Sequence, residues 1–343
     1  MDPNPLRVAL IGYGLAGAVF HAPLIAAVPG LELAAVVTTN EERRARAARE
    51  HPDARLLDTV EQIWSAAQRY DVAVVAAPNR LHLPLALASV EAGLPVVVDK
   101  PLAPTGDQGR ELVEAARARG VLLTVFQNRR WDGDFLTVRR VIDEGRLGRV
   151  LRFESSFERW RPELSGSWRE RADPAEGGGL LLDLGSHLVD QALRLFGPVE
   201  DVYAEVDVRR AGAADDDVFV ALEHSSGVYS HLRTAAIAAL QGPRFRVLGD
   251  HAAYVKYGLD VQEDALRAGA HPGDPGWGEE PQERWGVVGA GGETDFVPTE
   301  RGRYEVFYER LVAALREGAP APVDPREAVE ALEVLDAARR SSR

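Results

Sequence analysis

Cysteine is absent from this 343-residue chain. Its absence excludes a disulfide framework, a thiolate metal site and a cysteine nucleophile, and it fits a reducing, cytoplasmic setting. Cations are in deficit: 40 Lys and Arg against 53 Asp and Glu leave a formal charge of −13. Such a surface repels phosphate backbones, so nucleic acid is not an expected partner. A local basic pocket can still hold an anion. No apolar run nears the ~18 residues of a membrane span. Met1 to Leu6 also lacks the basic-then-apolar pattern of a signal peptide. No membrane association is expected. The remainder is ordinary for a globular chain, 45% hydrophobic and 27% charged. At roughly 150 residues per domain, this length predicts two domains.

Short apolar runs alternate with helix-like stretches through the first third. Arg7–Ile11, Leu33–Thr38, Asp71–Ala77, Pro95–Asp99 and Val121–Phe126 read as strands. Leu15–Val28, Glu41–Glu50, Leu83–Ala92 and Gly106–Arg119 read as the helices between them. Continuous apolar strands separated by helices predict a parallel sheet covered on both faces. The pattern changes after Gln127. Val150–Phe157 and Val199–Val208 are longer, partly alternating strands, and Val218–Glu223 with Gly227–Thr234 reads as a hairpin. Phe245–Gly249 and Ala252–Tyr257 add further strands, predicting an antiparallel or mixed sheet with one exposed face. Asp264–Gly292, rich in Gly, Pro and Trp, reads as a long loop, either a lid or a surface excursion. Helices over Tyr304–Arg316 and Arg326–Arg339 follow. Asp215-Asp216-Asp217 reads as a solvated loop.

Gly12-Tyr13-Gly14-Leu15-Ala16-Gly17 fits G-x-G-x-x-G directly after a strand and at the opening of a helix. Gly12 permits a tight turn, Gly14 lets backbone approach a pyrophosphate, and Gly17 lets helix and strand pack closely. The helix N-terminus would supply unpaired N–H groups to the anion. At the end of the second strand, an acid would grip a ribose 2′-hydroxyl. Thr38-Thr39-Asn40 stands there instead, followed by Arg43 and Arg44, and suits a 2′-phosphate. The expected cofactor is therefore NADP, with NAD as the alternative. Lys100 sits where a parallel strand runs out, the edge at which open α/β sheets bind ligands. Asp183 and His187 are four residues apart and on a helix would share a face. A carboxylate beside an imidazole suits proton transfer, a structural ion pair or, with Asp190 as third ligand, a metal; no metal is the expectation.

With these pieces in this order, the sequence resembles the Gfo/Idh/MocA oxidoreductases over nearly its whole length. The resemblance rests on the glycine motif, on Ala77-Pro78-Asn79-Arg80-Leu81-His82, on Asp99-Lys100-Pro101 and on Asp183 with His187. Phe20-His21-Ala22-Pro23 and Gln127-Asn128-Arg129-Arg130-Trp131-Asp132 resemble the branch of NADP-dependent scyllo-inositol dehydrogenases. The resemblance implies an α/β fold: a Rossmann doubly wound parallel sheet over residues 1–126, then an α+β domain over 127–343 with a large open, mainly antiparallel sheet. The last helices would pack back on the first domain. It implies that Lys100, Asp183 and His187 are the catalytic group, with His187 taking the hydroxyl proton, Lys100 holding the same oxygen and Asp183 orienting the imidazole. Pro78, Asn79 and His82 would lie along the cofactor, with Gly12, Tyr13, Gly14, Leu15, Gly17, Thr38, Thr39, Arg43 and Lys100. The family commonly has Glu where this chain has Asp99. Arg129, Trp131 and Trp168 are candidates for the substrate side, with packing as their alternative role. The implied substrate is a cyclic polyol or sugar, and the implied assembly a homodimer or homotetramer through the second sheet. Two rival readings stay open: a reductase of another carbonyl or imine, and a non-enzymatic cofactor-sensing protein.

Overall fold

The computed structural model describes residues 4–171, 173 and 176–342. Six parallel strands form the first sheet: β1 (Leu6–Ile11), β2 (Leu31–Val37), β3 (Arg55–Leu57), β4 (Val72–Val75), β5 (Val96–Asp99) and β6 (Leu123–Phe126), in the order β3-β2-β1-β4-β5-β6. Every residue of β4, and Val96 to Val98 of β5, is wholly buried. Runs of valine without alternation fit only a sheet covered on both faces. The strand order reverses between β1 and β4. A crevice opens there beyond the strands' C-terminal ends. The glycine turn after β1, the 77–82 segment after β4 and Lys100 after β5 all leave the sheet at that edge.

The second sheet has eight strands: β7 (Val150–Glu158), β8 (Val199–Asp207), β9 (Asp217–His224), β10 (Tyr229–Ala235), β11 (Phe245–Gly249), β12 (Ala253–Lys256), β13 (Gly286–Ala290) and β14 (Glu293–Val297). Their order is β14-β13-β12-β11-β7-β10-β9-β8, antiparallel throughout except for the β7–β10 pair. Along β9, partly exposed and buried residues alternate without a break. Val218, Val220 and Leu222 thus enter the core, while Phe219 and Glu223 take the other face. The helix Gly185–Phe196 packs against β7 and β10. The opposite face carries Tyr203 and Tyr229, both exposed, and the rings of Phe219 and His231 at 5.7 Å.

The reading of residues 264–292 needs correction. Asp264–Gly292 is not a structureless loop. It holds most of the helix Gln262–Arg267 and all of β13, and it is anchored by buried Trp277, whose Nε1 donates to Glu305 at 3.0 Å. Glycines at 286 and 289 hid the strand. Gly286 is needed because a Cβ there would meet the Tyr254 hydroxyl oxygen at 2.4 Å and its ring at 2.5 Å.

The last helix, Pro325–Ser341, is capped by Asp324 with proline at its start. It packs on both Gly106–Arg119 and Gly185–Phe196, so one helix touches both halves of the chain. Gly109 makes room for Leu332 and Val329, and Asp336 accepts from Gly106 N at 2.8 Å.

Candidate active site

The glycine turn is built as its spacing requires. Gly12 has φ +103°, and a Cβ there would lie 2.4 Å from the Ala76 carbonyl oxygen. A Cβ on Gly17 would lie 2.1 Å from Gly12 O. Gly14 differs: the nearest atom to its would-be Cβ is the Arg43 guanidinium at 3.6 Å. The turn is closed where helix meets strand and open where a pyrophosphate approaches, so these residues fit a dinucleotide. The helix opens at Ala16 with a π-type turn, Ala22 N–H reaching Gly17 O, and continues to Ala27. Arg43 is exposed, and its guanidinium has no hydrogen bond or ion pair among the described residues. Arg44 is occupied by the carbonyls of Leu56 and Leu57, each at 3.1 Å, and by Asp58. Thr38 is buried and Thr39 exposed at the end of β2, and Asn40 caps the next helix through Arg43 N at 3.0 Å. Tyr13 turns its ring into the core and donates to Glu50 at 2.7 Å.

Beyond the turn lies a cleft of ≈ 260 Å³, lined by Leu15, Ala16 and Phe20 of the first half and by Asp183, Leu184 and His187 of the second, with Lys100 between. Lys100 Nζ donates to the Asp183 carboxylate at 2.8 Å and to the Asp183 carbonyl at 2.6 Å. Arg169 Nε lies 3.2 Å from the same carboxylate oxygen. Burial pushes the Asp183 carboxyl up, but the Lys100 and Arg169 charges outweigh it and hold it well below the ordinary carboxylate range. Asp183 is therefore an anion fixed between two cations.

His187 is buried and its Nδ1 has no hydrogen-bond partner among the described residues. Burial, then the charges of Lys100, Arg129 and Arg244, lower its pKa well below the ordinary histidine value. The imidazole is neutral at neutral pH and can accept a proton.

The expected link between Asp183 and this imidazole is absent. The two do not ride on one helix: Leu180–Asp183 ends at Leu184 (φ −103°, ψ −36°), and a new helix starts at Gly185. Asp183 follows the stronger attraction of two cations, so it orients Lys100 and not His187. Asp190 is also engaged elsewhere, accepting from Arg130 at 2.8 and 2.5 Å.

Other expected residues divide. Arg129 does line the cleft, held by Glu263 at 2.6 Å and Asp132 at 3.2 Å. Trp131 does not: its indole is buried edge-on to Phe307, ring centroids 5.9 Å apart, which is the packing alternative. The backbone of Trp168 opens the short helix Trp168–Arg171, and its side chain lies outside the described residues. His82 is wholly enclosed, its ring nitrogens facing Pro101 O at 2.7 Å and Ala77 O at 2.9 Å. It clamps two turns together instead of facing a cofactor. Pro78 precedes the short turn Asn79–Leu81, and Asn79 spends its amide on Gly177 O at 2.8 Å, tying the two halves at the cleft.

Asp215 was missed by reading three acids as a solvated run. It and Asp216 are buried. Asp215 accepts from Leu181 N at 2.6 Å and so seats the turn that carries Asp183. A Cβ on Gly179 would overlap that carboxylate at 1.9 Å. Arg159, Arg161, Arg169 and Glu263 also line the cleft. No motif marked them in the sequence; the alternation of Arg159 and Arg161 about Trp160 is the signal that could have found two of them.

Residues 6–127 match the Gfo/Idh/MocA description "Oxidoreductase family, NAD-binding Rossmann fold", and residues 139–343 match "Oxidoreductase family, C-terminal alpha/beta domain". The chain is 36% identical over 344 residues to the scyllo-inositol 2-dehydrogenase (NADP(+)) IolW of Bacillus subtilis (strain 168), covering 99% of this chain and 94% of that protein. It is 32% identical over 197 residues to D-glucoside 3-dehydrogenase of Escherichia coli (strain K12), covering 57% and 56% respectively. Among solved structures, the oxidoreductase yvaA of Bacillus subtilis superposes with a TM-score of 0.92 at 34% identity, covering 100% of this chain and 97% of that one. With a glycine cradle that fits a dinucleotide, a matching second domain and relatives over its full length, this chain belongs to the Gfo/Idh/MocA oxidoreductases and is an NAD(P)-binding dehydrogenase acting on CH–OH groups.

Proposed function

We propose that the protein is an NADP(H)-dependent dehydrogenase of a cyclic polyol or sugar, working as copies paired through the uncovered face of the second sheet. The observation that carries the reading is the meeting of Lys100, Asp183 and a neutral His187 in one cleft below the glycine turn. When bound, the dinucleotide supplies nicotinamide C4 as hydride acceptor or donor. The chain's own residues do the rest. Lys100, fixed by Asp183, donates a hydrogen bond to the reacting oxygen and stabilises negative charge developing on it. His187 takes the hydroxyl proton as the C–H bond gives up its hydride, and returns it in the reverse direction. Asp183 keeps the ammonium in place without touching the imidazole.

The unpaired Arg43 guanidinium beside Gly14 favours a 2′-phosphate, with the hydroxyls of Thr38 and Thr39 nearby and no acid at the strand end. The NADP dependence and inositol substrate named for the Bacillus relative point the same way.

The test is a panel of polyols and sugars followed by nicotinamide absorbance. Lys100→Met and His187→Asn should each lower kcat/KM by about 10²-fold or more while nucleotide binding persists. Arg43→Ala should raise the KM for NADP by about tenfold and leave that for NAD unchanged. Full turnover in both catalytic variants would overturn the assignment.

A further inference from the structure

The cleft is more cationic than hydride transfer requires. Its lining contains Lys100 and six arginines against four carboxylates, Asp99, Glu170, Asp183 and Glu263, in a chain whose overall charge is −13. The carboxylates are all engaged. Asp183 holds Lys100 and Arg169, Glu170 meets Arg210 at 3.1 Å, and Glu263 meets Arg129 at 2.6 Å and Arg267 at 2.8 Å. Asp99 accepts from Lys100 N at 2.9 Å and lies 3.7 Å from the His21 ring.

Two cations remain. Past β7 the chain stays extended, with Arg159 N donating to Ala235 O at 2.8 Å and Arg161 N to Ala236 O at 2.6 Å. Side chains alternate on such a segment. Trp160 is 56% exposed; of its neighbours Arg159 is half-buried and Arg161 exposed, and both line the cleft. Among the described residues neither guanidinium has a hydrogen bond or ion pair; Arg159 only overlies the Phe157 ring at 5.3 Å. Burial makes the charged form of Arg159 harder to hold; Glu263 and Asp183 pull the other way, and the neighbouring charges of Arg161 and Arg129 work with the burial.

We propose that the substrate hydroxyl compound carries an anionic group, a carboxylate or a phosphate, which Arg159 and Arg161 receive while its reacting hydroxyl meets Lys100 and His187. The proposal rests on the dehydrogenase reading above and narrows it to sugar acids or sugar and polyol phosphates. A guanidinium pair is the natural receptor, because each fork can give two parallel N–H donors to a carboxylate or phosphate. Binding such a group also offsets the mutual repulsion of the two cations, which a neutral polyol would leave in place.

The experiment is calorimetric binding to the NADP⁺-loaded enzyme of matched pairs: glucose, glucuronate and glucose 6-phosphate, then myo-inositol and an inositol monophosphate. At least one anion should bind about tenfold or more tighter than its neutral partner. The carboxylate and phosphate arms identify which group the site takes. Arg159→Gln and Arg161→Gln should each remove most of that preference and leave the affinity for NADP⁺ unchanged. Equal binding of neutral and anionic members, no binding by any of them, or loss of NADP⁺ affinity alone in the variants would overturn the proposal. The dehydrogenase reading fails separately. It falls if turnover survives Lys100→Met and His187→Asn, and it stands if neutral polyols are oxidised as well as anionic ones.

Discussion

A histidine enclosed beside cations can serve as a base only because it has already lost its proton. For His187 this sets the sign of a pH effect. The base must be neutral to accept the alcohol proton, so alcohol oxidation is supported above its pKa and lost as pH falls through it. Because burial and the charges of Lys100, Arg129 and Arg244 depress that pKa, kcat/KM for oxidation should stay level from pH 8 down past the ordinary histidine value of 6.5 and fall only in more acid solution. A pH–rate profile with its acid limb centred at 6.5 would refute this. At this scale the sequence was most legible where a residue type has one physical use: Gly12 and Gly17 in contacts with no room for a Cβ, and Lys100 at a strand end. It was least legible where side-chain direction decides. Spacing brought Asp183 and His187 together on an imagined continuous helix, and only the break at Leu184 shows the carboxylate turned to Lys100. The same holds for His82 and Trp131, whose places in the motif gave no sign that both are buried among carbonyls or rings.

Secondary elements were easier to read than their side chains. Unalternated valine runs gave β4 and β5, and two strand-like runs joined at the turn-prone Ser225-Ser226-Gly227 gave the hairpin of β9 and β10. β13 was lost because its glycines, required by the Tyr254 ring and by β14, look like a turn signal. The helix Pro325–Ser341 was readable from its cap and proline, but its role depends on tertiary packing. Leu332 is buried at the junction with Gly109. Leu332→Ala should cost about 2–5 kcal/mol, measured as a lower midpoint in urea unfolding. Because the helix packs on both halves, nucleotide-binding and second-sheet signals should shift together. A loss confined to one half would show that the helix does not couple them.

At the scale of the molecule, the eight-stranded sheet is dressed on one face only among the described residues. The other bears Tyr203, Phe219, Tyr229 and Phe296 among charged residues. Tyr203 and Phe219 lie 6.5 Å apart, and Arg233 covers the Phe219 ring at 5.0 Å. An aromatic face of this kind is suited to burial against another copy. Sedimentation at micromolar concentration should give a dimer or tetramer, and Phe219→Glu should shift it towards monomers. A monomer throughout would remove the pairing. Fold class and the division into two sheets were legible because they follow from periodicity; the charge of the cleft was not, since its arginines come from separated segments and the net charge has the opposite sign.

The reach of the Pro325–Ser341 helix also bears on how the protein is made. On a ribosome, the six strands of the first sheet emerge some two hundred residues before the helix that walls in Gly106–Arg119. The nascent nucleotide-binding half must therefore wait with apolar surface around Gly109 uncovered, and that interval is when a chaperone or a wrong neighbour would find it.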